Sequence, residues 1–177
     1  MRRVALPTFV GASVLLLSAC GGGPQPAPRP VAPAVVISPV IISAAAYVAA
    51  ASSIDLFEMQ SAELALQRAS DPATRAFAER VLNAHQGTSA QLSYAGRRLN
   101  LLPSAALSAQ HQAMIDALRA SADFDGTYRA QQRTVIEQGV KLHGDFARSG
   151  ASPTLRPIAE NAGNVMRANL LALRSSR

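Results

Sequence analysis

The chain has 177 residues, 49% of them apolar and 16% charged, so it can bury the core of one ordinary domain and is not a disordered chain. It has no tryptophan and only 5% aromatic residues, which suits helices packed through small side chains better than a β-sandwich. The formal charge of +6 invites a nucleic-acid reading, but the basic residues, all arginine except Lys141, are scattered among acids rather than gathered into a stripe with stacking aromatics, so nucleic acid is not an expected partner.

The first element is Met1-Arg2-Arg3 followed by the apolar stretch Val4 to Leu17, which is interrupted by Pro7 and Gly11. It is too short to span a bilayer and reads as a secretory leader. Without Arg2 and Arg3 the formal charge falls from +6 to +4. The leader ends in Leu17-Ser18-Ala19-Cys20, an aliphatic residue, two small ones and the single cysteine of the chain. These residues resemble the lipobox of bacterial lipoproteins. The resemblance implies cleavage before Cys20 and acylation of its thiol, with palmitate among the expected modifications. Gly21 in place of an aspartate implies sorting to the outer membrane, with the folded part facing the periplasm. Acyl chains contribute about 0.8 kcal/mol per buried methylene, so several together anchor a protein stably.

The next stretch, GGGPQPAPRPVAPAVVISP, combines glycine with alternating proline and has no core-forming period. It reads as a disordered tether. The expected organisation is therefore a leader over residues 1–19, a lipidated cysteine and linker over 20–42, and a folded domain over 43–177. The apolar run from Val35 to Ala51 is broken by Pro39 and rich in alanine and serine, and is expected to start a core helix instead of a membrane span.

From Ser43 onward the period is helical. The first helix is expected over Ala44 to about Ala69, with Tyr47, Ala51, Ile54, Phe57, Ser61 and Leu64 at steps of three and four. Asp71-Pro72 breaks it and restarts a helix, Asp71 as cap and Pro72 at the first helical position, where a missing N–H costs nothing. The second helix runs to about Arg98 with Phe77, Val81, His85, Thr88, Leu92, Ala95 and Leu99 in one stripe. At 1.5 Å per residue each is about 40 Å long. A short helix is expected over about Ser108 to Ser121, a long one from Phe124 to about Arg148, and a last one from Pro153, capped by Ser152, to about Leu173. Four long helices and one short crossover helix make an all-α four-helix bundle.

The run FEMQSAELALQRASDPATRAFAERVLNAHQGTSAQL, then LP, then FDGTY, resembles the domain-of-unknown-function family numbered 4142, a group of exported bacterial proteins often labelled outer membrane proteins. The resemblance spans about Ala44 to Leu173. It implies a ferritin-like bundle, and it implies roles for Glu58, His85 and Phe124-Asp125-Tyr128. It implies no settled activity. It also implies one inward histidine in each of the last two long helices, where this chain has Ile136 and, near the corresponding position, Asn169. The acid usually preceding the second-helix histidine is replaced by Ala84.

Ferritin-like metal sites use carboxylates and Glu-x-x-His pairs, and this chain has no Glu-x-x-His. The remaining metal candidates are Glu58 and His85, and the expectation is that these two form a structural polar pair without metal, each satisfying the other's hydrogen-bonding groups. His111 falls near the start of the short helix and His143 is expected at the surface. Asp123 and Asp125 bracket a helix start, where acids are stabilising. There is no G-x-S-x-G turn, and Gly21-Gly22-Gly23 precedes proline instead of a helix, so neither an activated serine nor a phosphate loop is expected. No enzymatic activity, cofactor or small-molecule substrate is expected. The expected function is an envelope structural or interaction module with a protein partner, and the competing one is a metal-binding or redox-protective protein.

Overall fold

The computed structural model describes residues 41–176. The leader, Cys20 and the tether lie outside the described residues. Five helices follow in order: α1 Ala44–Arg68, α2 Pro72–Arg98, α3 Ala109–Ala120, α4 Phe124–Ser149 and α5 Arg156–Ser175. No strand occurs among the described residues, and no helix there is long and apolar enough to cross a membrane.

Local chemistry sets most helix ends where the sequence marks them. Ser43 caps α1 through the Ala46 amide. Asp71 accepts from the amides of Ala73 and Thr74, and Pro72 opens α2. Ser108 caps α3, and Asp123 caps α4 through the Gly126 amide. The α2 end turns through Asn100, in the left-handed region at φ 54°, so that the Leu101 amide reaches back to the Gly96 carbonyl at 2.9 Å. A Cβ on Gly96 would meet the Leu101 oxygen at 2.2 Å, so this position requires glycine.

The start of α5 differs from expectation. Ser152 caps only a turn, its carbonyl accepting from the amides of Leu155 and Arg156, and the regular helix begins at Arg156. Pro157 is the cause. A helix begun at Pro153 would need the residue at 157 to donate an amide, and proline has none.

The long helices α1, α2, α4 and α5 form a bundle in which α1 packs most extensively on α2 and α4 on α5, while α3 crosses α1 and α4. Two apolar clusters fill it. One holds Phe57, Val81, Ile115, Leu118, Tyr128, Val135, Ile136 and Met166 with their neighbours. The smaller one holds Tyr47, Val48, Leu92, Ala95, Phe146, Leu155 and Ala159. Several polar side chains are buried among these apolar residues, and they form the candidate site.

Candidate functional site

Asp55 and Glu58 stand one turn apart on α1, and His85 and Thr88 one turn apart on α2, so each pair shares a helix face. The two faces meet. His85 Nδ1 lies 2.8 Å from Asp55 Oδ1, and the Thr88 hydroxyl donates to the same oxygen at 2.7 Å. His85 is 1% exposed and Asp55 4%. Burial pulls the His85 pKa down. The hydrogen bond to Asp55 and the charges of Glu58 and Asp55 outweigh that, and the net shift is upward.

The expected hydrogen-bonded pair between Glu58 and His85 is therefore corrected: the partner is Asp55. Glu58 is fully buried, but neither of its carboxylate oxygens has a hydrogen-bond partner among the described residues. Burial pushes its pKa up to about 7, and the nearby His85 charge and Gln132 amide offset this only in part. Gln132 gives its Nε2 hydrogen to Ser61 Oγ at 3.0 Å, leaving its own Oε1 without a partner. Tyr128, also without a partner for its hydroxyl, is held well above its usual pKa by burial and then by the Glu58 charge. His85 Nε2 is unpartnered as well. Asp55 lies next to the apolar Ile54 in sequence, outside the apolar stripe of α1. The usable signal was its spacing to Glu58 matched by that of His85 to Thr88 on the facing helix.

His143 is buried, not at the surface as expected. It continues the α4 stripe of Ile136, Gly139 and Phe146, each one turn from the next. Its Nδ1 lies 3.0 Å from the Tyr47 hydroxyl, and Tyr47 stacks on Phe146 with ring centroids 3.9 Å apart. Burial lowers the His143 pKa to about 4. The ring is neutral at pH 7, and the tautomer it adopts sets whether the Tyr47 hydroxyl or His143 Nδ1 is the donor.

His111 is buried too, against Ser53 of α1. Its Nδ1 lies 2.7 Å from Ser53 Oγ and 3.1 Å from the Ser53 carbonyl, and Ser53 Oγ also accepts from the Ser108 amide. These bonds pin α3 to α1. A cleft of about 460 Å³ runs beside them, lined by Ala46, Ala50, Ser53, His111 and Leu142 among others. Asp125 Oδ2 accepts from the Ser70 amide and hydroxyl and ties the α1–α2 connection to α4. Ile136 and Asn169, which stand where the resemblance leads one to expect histidines, are both buried, and Asn169 accepts from Arg80 at 3.1 Å. Among the described residues no three or more His, Cys, Asp or Glu side chains are grouped to hold a metal ion.

The model of the family described as "Domain of unknown function (DUF4142)" matches residues 28–175. The chain belongs to that family. No curated protein matches it significantly. Among solved structures, this DUF4142 chain is similar to the one described as "CopM in the Cu(II)-bound form", with a TM-score of 0.64 and 14% sequence identity over 76% of this chain and 95% of that one. At that identity the similarity is one of fold.

Proposed function

We propose that this DUF4142 chain is a non-enzymatic lipoprotein, tied to the outer membrane through Cys20, whose helical bundle faces the periplasm as a structural or interaction module. The observation that carries the reading is the closure of the interior. Asp55, Glu58, His85 and His143 are all buried, and five clefts among the described residues are lined by none of them. The Asp55–His85 and Tyr47–His143 contacts join α1 to α2 and to α4, which supports a structural role for the buried polar groups. The anchor is supported by the leader, the small residues before Cys20 and the glycines after it.

Labelling cells with a palmitate analogue tests it. The wild-type chain should carry label and sediment with membranes, whereas Cys20→Ser should lose the label and appear in the soluble fraction. Unchanged membrane retention of Cys20→Ser would overturn the anchor.

A metal-binding or redox-protective role is the competing reading. What favours it is the pair of free donors in the core, His85 Nε2 and the Glu58 carboxylate, together with the copper named in the description of the similar fold. One imidazole and one carboxylate make a poor site for a transition metal. Stoichiometric copper, zinc or iron on the purified protein, lost in His85→Ala, would reverse the order of the two readings.

A further inference from the structure

The two ends of the bundle differ in charge and in exposed apolar surface. One end is formed by the start of α1, the end of α2 with the loop after it, the end of α4 and the start of α5. Its parts are joined by the hydrogen bond from the Ala151 amide to the Ile42 carbonyl and by packing of Tyr47 and Val48 with Leu92, Ala95, Phe146 and Leu155. Across residues 41–49, 92–104 and 144–156 the basic side chains are Arg97, Arg98, Arg148 and Arg156, all exposed. The carboxylates at this end are Asp145, already paired with Lys141 and Arg148, and Glu160 one turn into α5, which lines a cleft with Arg148 and Arg167. The opposite end intersperses its arginines with Glu63, Asp71, Glu79, Asp116, Asp123 and Asp125.

Exposed apolar side chains gather on the same basic end. Leu102 is 72% exposed, Tyr94 62% and Ile41 61%, three of the five large hydrophobic residues exposed among those described. Tyr94 lies under the Arg98 guanidinium, 6.0 Å from its ring centroid. A tyrosine, an arginine pair and a leucine at one surface combine the groups that settle at the boundary of a bilayer, where amphipathic rings sit among headgroups and cations meet phosphates.

We infer that this end docks on the phosphate headgroups of an anionic lipid bilayer, with Arg97 and Arg98 on the phosphates and Tyr94 and Leu102 at the headgroup–acyl boundary. The occupant follows from charge complementarity and from the course of the chain. The chain enters the bundle at this end, through Ile41, and Cys20 stands 21 residues earlier. A chain of that length reaches at most about 75 Å, so an anchor at Cys20 holds the bundle within that distance of a bilayer. The second argument rests on the proposed anchoring; the charge argument does not.

The test uses the chain from residue 20 onward with Cys20→Ser, so that no lipid is attached. It is titrated with vesicles containing phosphatidylglycerol and with vesicles of phosphatidylcholine alone. Binding to the anionic vesicles should be strong and weakened by salt, and binding to the neutral ones absent. Each arginine near an anionic surface is worth about fivefold in partition. Arg97→Ser with Arg98→Ser should therefore weaken binding at least tenfold. Arg133→Ser with Arg174→Ser, which removes the same charge from the opposite end, should leave it nearly unchanged, and Leu102→Ser should weaken it severalfold. Equal loss in the two double variants, equal binding to both vesicles, or binding of a polyanion such as heparin with none of anionic vesicles would each overturn the inference. Lost palmitate labelling with vesicle binding intact breaks the anchor alone; intact labelling without dependence on Arg97 and Arg98 breaks the docking alone.

Discussion

His85 and His143 lie on inward stripes of two different helices, are almost equally buried, and have opposite charge tendencies. His85 meets carboxylates from α1, with Asp55 bonded to its Nδ1, and its pKa is raised. His143 meets a phenol from the same helix two turns earlier, the Tyr47 hydroxyl, and its pKa falls to about 4. Burial alone would discharge both rings. The neighbour on α1 decides which way each ring's pKa moves, upward for His85 beside a carboxylate and downward for His143 beside a phenol.

The largest expected effect comes from removing the carboxylate. Asp55→Ala leaves His85 buried without its partner and the Thr88 hydroxyl without its acceptor, and should cost about 3 kcal/mol in urea unfolding. The reverse change, His85→Leu, strands Asp55 and should be comparably destabilising. If both variants unfold at the wild-type midpoint, the pair contributes nothing and the contrast with His143 disappears.

The next effect is a pH dependence. The folded Glu58 pKa, about 7, lies above its ordinary value of 4.5, so its contribution to stability is complete below about 4.5 and is lost as pH rises through 7. The shift is worth about 3 kcal/mol at 1.36 kcal/mol per unit. Glu58→Gln should therefore become more stable relative to wild type between pH 4.5 and pH 9 by roughly that amount. His143 has the opposite sign. Its pKa is depressed from 6.5 to about 4, so its contribution is complete above 6.5 and is lost as pH falls toward 4. Between pH 4.5 and 6.5 the two slopes oppose each other, and Glu58→Gln should show a steeper rise of stability with pH than the wild type. Parallel profiles for the two proteins would show that Glu58 is ionised and hydrated in the fold.

Smaller effects sharpen the neutral side of the contrast. Tyr47→Phe removes the hydroxyl from His143 Nδ1 while keeping the stack on Phe146, and should cost about 1 kcal/mol with no change in pH dependence above 6.5. Ser53→Ala unties His111 and the Ser108 amide. Because α3 lies on the outside of the bundle, it should raise amide exchange in α3 more than it lowers global stability, by about 1 kcal/mol or less.

The residues that end helices show how much the sequence carried. Asp71-Pro72, Ser108 and Asp123 each act on amides two or three positions ahead, so their effect is local and readable without the fold. The α5 start shows where that local reading stopped short, since Pro157 four residues on had to be weighed against Ser152. The inward stripe likewise placed His85 in the core, because a period of 3.6 residues states which side of a helix faces its neighbours. That His143 lies seven residues beyond Ile136, two turns along the same face, was readable in the same way, although its polarity suggested the surface.

Which groups meet across the bundle is a different quantity. Glu58 and Asp55 are one turn apart and both face α2, and no periodicity distinguishes them as partners for His85. The choice depends on how far α1 is shifted along its axis against α2, a displacement set by the three-residue connection at Ala69–Asp71 and by the packing of Phe57, Val81 and Tyr128. Residue spacing along the chain sets the helices, their inward faces and a buried histidine. That Asp55 holds that histidine and that Glu58 is buried without a partner follows from packing, because axial register between helices is a sum over the whole core and belongs to no single stretch of chain.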